Sequence, residues 1–239
     1  MNFVVEGGKK LSGRVETSRS KNGAVALLAA SLLNKGRTTL ERVPKIEEVN
    51  RLIEVLHSLG VSVEWFTPSG VEGRGANVII TPPETISLKN INRVAATKTR
   101  SILMFIGPLL HLFKKFELPQ SGGCTLGLRS VRPHLFALEK FGVDIEARTE
   151  SYRVTHTKLV PAEVVLYESS DTATINALLA AARIPGTAVI QYASADYQVQ
   201  EVCGFLRALG VAIEGVGSTT LTINGIANIN TDVSYSVAE

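Results

Sequence analysis

The sequence has little sulfur and no long apolar run. Two cysteines in 239 residues, Cys124 and Cys203, cannot form a disulfide framework, and their scarcity suits a reducing cytosol, so we expect a cytoplasmic protein. The longest apolar run, "ILMFIGPLLHLF" from Ile102 to Phe113, is shorter than the roughly 20 residues that span a bilayer. We interpret it as a buried helix, and we predict no membrane partner.

The chain also lacks a strong excess of charge of one sign. Its formal net charge of +3 gives no nucleic-acid-binding field and leaves only a local basic pocket for a small anion. Walker-type phosphate loops, dinucleotide fingerprints and metal-ligand spacings are absent, which predicts no metal site. The four histidines are dispersed along the sequence: His57, His111, His134 and His156.

What the sequence does contain is a repeat. The segments "GVSVE", "GVDIE" and "GVAIE" begin at Gly60, Gly142 and Gly210. Each follows an amphipathic helix that ends at this glycine, which suits a left-handed C-cap, and each reads as a short strand. Because the period of roughly 70–80 residues is too long for a solenoid, we expect three units that share one core.

The resemblance between units extends upstream of these segments. Residues 24–43 match residues 175–193 as an Ala/Leu-rich helix, a Gly turn and a β-rich strand, and "TRSILMFIGPLLHLFKKFELP" is the middle copy. Each unit therefore reads as helix, strand, helix and strand, with further strands appended. The sequence predicts an α/β fold in which three units surround a core of Ala-rich helices.

Cys124 is the first candidate for chemistry. It lies in "SGGCTLGLR", where Gly122 and Gly123 permit open backbone conformations and no packing periodicity is visible. Arg129 and Arg132 would lower the pKa of the thiol and favour thiolate. From these features alone, both a reactive thiol and an inert loop thiol remain open.

Lys21 and Arg100 are the candidate anion-binding residues. Ser20 or Asn22 can cap the helix that follows, which puts the Lys21 amine beside unpaired amide groups and suits an anion. Arg100 opens the apolar helix, where its planar guanidinium can pair with phosphate or carboxylate. A solvated surface lysine and an arginine that only reaches the surface are the alternatives.

These motifs together resemble the enolpyruvyl transferases, specifically the UDP-N-acetylglucosamine 1-carboxyvinyltransferase family. The resemblance runs along nearly the whole chain and is carried by "SKN" before "LLAASLL", by "TRSILMFIGPLL", by "LPQSGGCTLGLR" and by "LRALGVAIEGVGSTTLTINGI". It implies three βαβαββ-type units that form one domain of an inside-out α/β barrel. It also implies transfer of the enolpyruvyl group of phosphoenolpyruvate to the 3-hydroxyl of UDP-N-acetylglucosamine, with release of phosphate, as the first committed step of peptidoglycan synthesis.

The same resemblance assigns roles to residues and requires no cofactor. Cys124 matches the loop cysteine that acts as general acid and bonds to phosphoenolpyruvate. Lys21 and Arg129 match residues that hold the phosphate, Asn22 matches a neighbour of the reacting centre, and Arg100 matches an arginine of the substrate cleft. The glycine-rich loop is then a lid over the bound sugar nucleotide.

The chain matches only one half of such an enzyme, since family members have two domains of three repeats each. We therefore expect a strand segment of the partner domain over residues 1–17, a domain of three repeats over 18–230, and the start of a crossover over 231–239, with both terminal segments unpaired here. The second domain, with a catalytic aspartate and a further phosphate-binding arginine, would come from a missing carboxyl-terminal half. The chain alone is predicted to lack transferase activity.

The segment that matches the sugar-nucleotide signature departs from the family. Residues 129–134 read Arg-Ser-Val-Arg-Pro-His, with Ser130, Arg132 and Pro133 in place of the family's Pro, Asp and Leu, and Glu168 stands where a nucleotide-contacting lysine is common. The stretches at 169–174 and 195–198 ("ADYQ") also differ. These changes leave two alternatives open: a non-catalytic sugar-nucleotide-binding paralogue, or an enolpyruvyl transferase with another acceptor.

Overall fold

A computed structural model of the chain describes residues 4–15, 17–67, 76–120 and 130–238. The elements follow the three predicted units in chain order. The first unit contains α1 (Lys21–Ala30), β1 (Thr38–Val43), α2 (Glu47–Ser58), β2 (Ser62–Phe66) and β3 (Ala76–Thr81). The second contains α3 (Arg93–Thr97), a 3-10 helix (Arg100–Phe105), α4 (Ile106–Leu109), β4 (Lys115–Pro119), α5 (Arg132–Glu139), β5 (Val143–Ala147) and β6 (Ser151–His156). The third contains α6 (Asp171–Ala181), β8 (Gly186–Gln191), α7 (Tyr197–Ala208), β9 (Ala212–Glu214) and β10 (Thr220–Gly225). Two strands lie outside the units: β7 (Glu163–Val165) precedes the third unit, and β11 (Val233–Ser236) follows it.

Each unit builds its own sheet with the same strand order. The orders are β11-β1-β3-β2, β4-β6-β5 and β7-β8-β10-β9, so the third strand of every unit lies between the first and the second. Within a unit all pairings are antiparallel, whereas β11 and β7 add parallel to β1 and β8. The prediction of three similar α/β units is confirmed, and the sheets close no barrel within the described ranges.

The Ala-rich helices form the centre of the molecule. Buried residues run without interruption through Gly23–Ala30 of α1, through Ile102–Leu109, and through Ala173–Ala181 of α6. Alanines in α1 and α6 and Gly107 in α4 let the helix axes approach closely; at Gly107 an added Cβ would lie 2.8 Å from the Asn176 carbonyl oxygen. The central helices therefore pack on one another, and the sheets cover them.

The predicted buried helix after Arg100 is present, but it begins as a 3-10 helix and continues as α4. Asn176 of α6 accounts for the irregularity because its amide enters the backbone ladder. Its Nδ2 donates to Leu103 O at 2.9 Å, and its Oδ1 accepts from Gly107 N at 2.8 Å. Backbone groups freed by the change of helix type are thereby satisfied.

The repeated glycines end the amphipathic helices as predicted. Gly60, Gly142 and Gly210 have φ values of 90°, 86° and 94°, which L-residues with a side chain rarely adopt. In each unit the glycine N–H donates to a carbonyl of the last helical turn. The turn directs the chain from an outer helix into the second strand of its sheet.

One expectation about the chain ends is wrong. Residues 231–239 were predicted to lack a partner here, but β11 pairs in parallel with β1, in a register that places Val233 opposite Thr38. Asn34 fixes the approach, since its Nδ2 donates to Thr231 O at 2.8 Å, and Val237 is fully buried. This strand therefore completes the first sheet, and the division of the chain at residue 230 stays a prediction.

The amino-terminal segment behaves differently. Residues 4–15 contain no helix or strand, and the side chains of Val4, Val5, Leu11 and Val15 are 88–92% exposed. Nothing in the described parts of the chain covers these apolar groups. That this segment forms a strand of a partner domain stays a prediction.

No helix among the described residues is both long and apolar enough to cross a membrane.

Candidate active site

Lys21 lies at the first position of α1, beyond an N-cap made by Ser20. The Ser20 Oγ accepts from Gly23 N at 2.9 Å, which is the cap predicted for this helix. The Lys21 side chain is 50% exposed, and its Nζ donates to Glu48 Oε2 at 2.6 Å. Asn22, at the second position, is exposed. The N–H groups of these first two positions have no partner inside the helix.

Glu48 of α2 connects Lys21 to the start of the second central helix. Its Oε1 accepts from Thr99 Oγ1 at 2.7 Å and from Ser101 Oγ at 2.5 Å. Burial raises the pKa of this carboxyl, but the hydrogen bonds and the Lys21 charge outweigh burial, so the net pKa lies below its ordinary value. Because Arg100 lies between the two donors in sequence, Glu48 brings the amino ends of two central helices together.

Arg100 contacts the residue that follows 121–129, the stretch of sequence in which the predicted cysteine lies. Its Nη2 donates to Ser130 O at 2.6 Å, and Ser130 is the first described residue after 121–129. Cys124 and Arg129 lie outside the described residues. Arg100 therefore holds the point where the chain leaves that segment and enters α5.

His134 is a site residue that sequence reasoning did not single out. It is 2% exposed, its Nδ1 lies 3.2 Å from Asn176 Nδ2, and its Nε2 lies 3.1 Å from Thr172 Oγ1 of α6. Because the Asn176 amide donates to Nδ1, the proton belongs on Nε2. Burial, followed by the charge of Arg100, lowers the pKa of His134 to about 4, so the ring is neutral. The one sequence feature that indicated His134 as a site residue is its position next to the altered Arg132-Pro133 pair.

The altered stretches of the third unit meet at the amino end of α6. Asp171 Oδ1 accepts from Ser194 Oγ at 2.5 Å, and Oδ2 accepts from Gln198 Nε2 at 2.6 Å. Two departures that are separate in sequence, at 169–174 and 195–198, are thus one hydrogen-bonded cluster. Together with Glu48 and His134, this cluster gathers the amino ends of all three central helices, where the helix dipoles favour negative charge.

The two charge exchanges, Arg132 and Glu168, flank one aromatic ring. Burial and Glu168 raise the pKa of the Tyr167 hydroxyl, and Arg132 opposes them. The Tyr167 ring packs edge-on against Phe136, with 5.3 Å between centroids. Among the described residues no ion pair joins Arg132 to Glu168. That the exchanges compensate each other stays a prediction.

The carboxyl ends of the central helices carry a second group of basic side chains. His156 Nε2 lies 3.0 Å from Leu110 O, His111 Nε2 lies 2.9 Å from Ala180 O, and Arg183 donates to Ala227 O. They line a cleft of about 410 Å³. Carbonyl oxygens at helix carboxyl ends and in turns need hydrogen-bond partners, so these residues are explained by the fold. The described ranges contain no group of three or more metal-ligating side chains.

Comparison with known proteins shows the family of the chain. The family model for EPSP synthase (3-phosphoshikimate 1-carboxyvinyltransferase) matches residues 5–239. The UDP-N-acetylglucosamine 1-carboxyvinyltransferase of Bradyrhizobium diazoefficiens is 35% identical over 98% of this chain and 52% of the relative, and that of Treponema denticola is 34% identical over 95% and 51%. The chain spans about half the length of the curated relatives it matches.

Solved structures show the same fold. The enolpyruvyl transferase NikO from Streptomyces tendae superimposes with a TM-score of 0.79 at 22% identity, over 97% of this chain and 53% of NikO. EPSP synthase from Acinetobacter baumannii gives 0.68 at 17% identity, over 94% of this chain and 49% of the synthase. With the family model matched over residues 5–239, the chain belongs to the EPSP synthase (3-phosphoshikimate 1-carboxyvinyltransferase) family.

Proposed function

We propose that this chain is one half of an enolpyruvyl transferase that moves the enolpyruvyl group of phosphoenolpyruvate to the 3-hydroxyl of UDP-N-acetylglucosamine. The observation that supports it most is the junction of Lys21, Glu48 and the Arg100 segment at the amino ends of the central helices. The curated relatives named for this reaction match almost the whole chain. The scarcity of cysteine agrees with a cytoplasmic enzyme.

In this proposal the amino end of α1 binds the phosphate of phosphoenolpyruvate. The Lys21 ammonium and the unpaired first-turn amides offer positive charge and N–H donors to the same anion. Glu48 holds the amine in place before the anion arrives. Arg100 and Arg129 add cations, which stabilise charge as the phosphate departs.

The proton steps use Cys124. Its thiol donates a proton to the methylene carbon of phosphoenolpyruvate, while the sugar 3-hydroxyl oxygen bonds to the central carbon and gives up its own proton. Loss of a proton from the new methyl group then restores the double bond and expels phosphate. Asn22 contacts the reacting centre, and no cofactor takes part. A second domain supplies the base that accepts the hydroxyl proton.

Phosphate release in the presence of both substrates tests the proposal. We expect none from the 239-residue chain and turnover from this chain fused to the carboxyl-terminal half of the Bradyrhizobium diazoefficiens relative. In the fusion, Lys21→Gln lowers turnover by roughly 100-fold or more, whereas Lys35→Gln, at an exposed lysine, leaves it unchanged. Turnover by the chain alone, or a folded fusion without phosphate release, would contradict it.

A different acceptor is the second candidate. Arg132 and Glu168 flank Tyr167 and reverse the charges that the resemblance predicts there. A pocket with the opposite charge pattern selects a different partner. Offering other nucleotides to the same fusion separates the candidates, since phosphate release faster with another nucleotide than with UDP-N-acetylglucosamine would favour this one.

A further inference from the structure

Glu201 of α7 is a buried carboxylate that the proposed chemistry does not use. The residue is 6% exposed. Its Oε1 accepts from Ala238 N at 2.7 Å, and its Oε2 is buried without a hydrogen-bond partner among the described residues. Keeping an acidic group in such a place is unfavourable, so its position calls for an explanation.

The carboxylate packs against the first turn of α1. A Cβ at Gly23 would overlap Oε2 of Glu201, so this approach requires glycine at position 23. A chain of hydrogen bonds joins the carboxylate to the same turn of α1. Gly23 N donates to Ser20 Oγ at 2.9 Å, and Ser20 N donates to Ala238 O at 2.9 Å. Ala238 is therefore held from both sides, by Glu201 through its N–H and by Ser20 through its carbonyl oxygen.

We propose that Glu201 is a positioning residue for the Lys21–Asn22 turn, acting through Ala238. It links α7 of the third unit to the end of the last strand, and that strand end fixes the N-cap residue of α1. That this turn binds an anion rests on the proposed function, whereas the hydrogen-bonded link from Glu201 through Ala238 to Ser20 does not. Without it, the Ser20 main chain loses its hydrogen-bond acceptor, and Lys21 loses its fixed approach to the anion.

Tyr235 offers a matched control that tests whether Glu201 has a purely structural role. Tyr235 Oη donates to the Glu201 backbone oxygen at 3.1 Å, so it anchors β11 to α7 without touching the carboxylate. Tyr235→Phe weakens the attachment of the strand and leaves the Ala238 contact intact. Glu201→Gln keeps an acceptor for Ala238 N–H, whereas Glu201→Ala removes it.

The experiment is a phosphate titration of the 239-residue chain, followed at the Lys21 and Asn22 amides by NMR, together with hydrogen exchange at Ser20. For Glu201→Ala we expect roughly tenfold weaker phosphate binding and roughly tenfold faster exchange at Ser20. Glu201→Gln and Tyr235→Phe stay within about twofold of the wild type in both measurements. If Glu201→Ala does not fold, Glu201→Asp, which withdraws the carboxylate by one methylene, is expected to give the same losses.

The outcomes separate this inference from the proposed function. Wild-type affinity and exchange in Glu201→Ala, or equal losses in Tyr235→Phe, overturn the inference. If the wild-type chain binds no phosphate, the anion site fails and Ser20 exchange alone decides. Faster exchange in Glu201→Ala than in Tyr235→Phe then supports the link, and equal exchange overturns it.

Discussion

The two ends of the central helices both carry basic side chains, but these side chains have different partners. At the carboxyl ends, His111, His156 and Arg183 are directed at backbone carbonyl oxygens, which are the partners that a helix end leaves unsatisfied. At the amino ends, Lys21 is half-exposed and its amine pairs with the carboxylate of Glu48, beside N–H groups that lack a partner inside the helix. Basic side chains therefore contact backbone carbonyl oxygens at one end and remain accessible to an anion at the other.

The comparison shows that a count of basic residues does not locate a site. The cleft at the carboxyl ends is richer in basic side chains than the amino-end junction. What distinguishes the amino ends is that side chains of different units hydrogen-bond to one another there, whereas those at the carboxyl ends contact backbone carbonyl oxygens. Glu48 joins α1 to the 3-10 helix, and His134 joins α5 to α6. We expect substitutions at the two ends to have correspondingly different consequences.

The largest expected effect concerns acid stability and is shared by the two ends, because each end contains a histidine that is neutral when folded. Burial, first, lowers the pKa values of His134 and His111 to about 4, with smaller contributions from Arg100 and Arg183. The unfolded chain then binds more protons between pH 6.5 and 4, so stability is complete above pH 6.5 and falls as the pH decreases. Each histidine is expected to lower the free energy of unfolding by roughly 3 kcal/mol between pH 6.5 and pH 4.

Urea unfolding of His134→Gln and His111→Gln from pH 7 to pH 4 measures these contributions separately. Each variant should lose about half of the pH dependence of the wild type. Full pH dependence in either variant would show that its histidine is not buried in the neutral form.

The next effect is steric and belongs to the amino end alone. Gly23→Ala places a methyl group against Oε2 of Glu201, and we expect a loss of about 2–3 kcal/mol in the free energy of unfolding. Gly7→Ala is the control, since an added Cβ there meets nothing within 4 Å and its φ is not positive. Equal stability of the two variants in urea would rule out the close approach of Glu201 to α1.

A smaller effect is expected at Glu48. Glu48→Gln removes the charge and weakens the hydrogen bonds to Lys21, Thr99 and Ser101. Because Lys21 is half-exposed, we expect the free energy of unfolding to fall by only about 1 kcal/mol at pH 7. The lowered pKa of this carboxyl means that the contribution is present above its ordinary pKa and disappears as the pH falls through the folded value. Glu54→Gln, on the same helix, should cost about half as much or less, because the Glu54 side chain is 39% exposed against 23% for Glu48. Identical unfolding curves for the two variants would contradict a junction at Glu48.

The smallest effect is expected at the carboxyl end. Arg183→Gln removes hydrogen bonds to Ala227 O of 3.3 and 3.2 Å, which should cost about 0.5 kcal/mol and leave phosphate binding unchanged. Phosphate binding is measured by calorimetry for this variant and for Lys21→Gln. Weaker binding in Arg183→Gln would indicate an anion site at the carboxyl ends of the helices and would contradict the proposal.

Sequence alone predicted the parts of this molecule that local patterns encode. Helix periodicity and a left-handed glycine are local features, so the three units and their buried Ala-rich helices were predictable from residues a few positions apart. The pairing of β11 with β1 was not, because it joins residues nearly the whole chain apart and parallel pairing leaves no turn signature. The prediction of unpaired residues 231–239 failed for that reason.

The residues of the candidate site also divide into those that the sequence indicated and those that only the structure shows. Lys21 and Arg100 carried a visible chemical signal, a cation at a helix start, and the family resemblance supplied their roles. Glu48 reads as one of several exposed acids on an amphipathic helix, and Glu201 as an ordinary helical acid. Their roles depend on which helix each of them faces, and only tertiary structure shows that.

Phosphate titration of the 239-residue chain, followed by NMR at every assigned amide, tests the central claim most directly. The account predicts saturable shifts centred on Lys21 and Asn22, which Lys21→Gln abolishes and Arg183→Gln preserves. Shifts centred instead on the cleft around His156 and Arg183, or no saturable shift at Lys21, would contradict it.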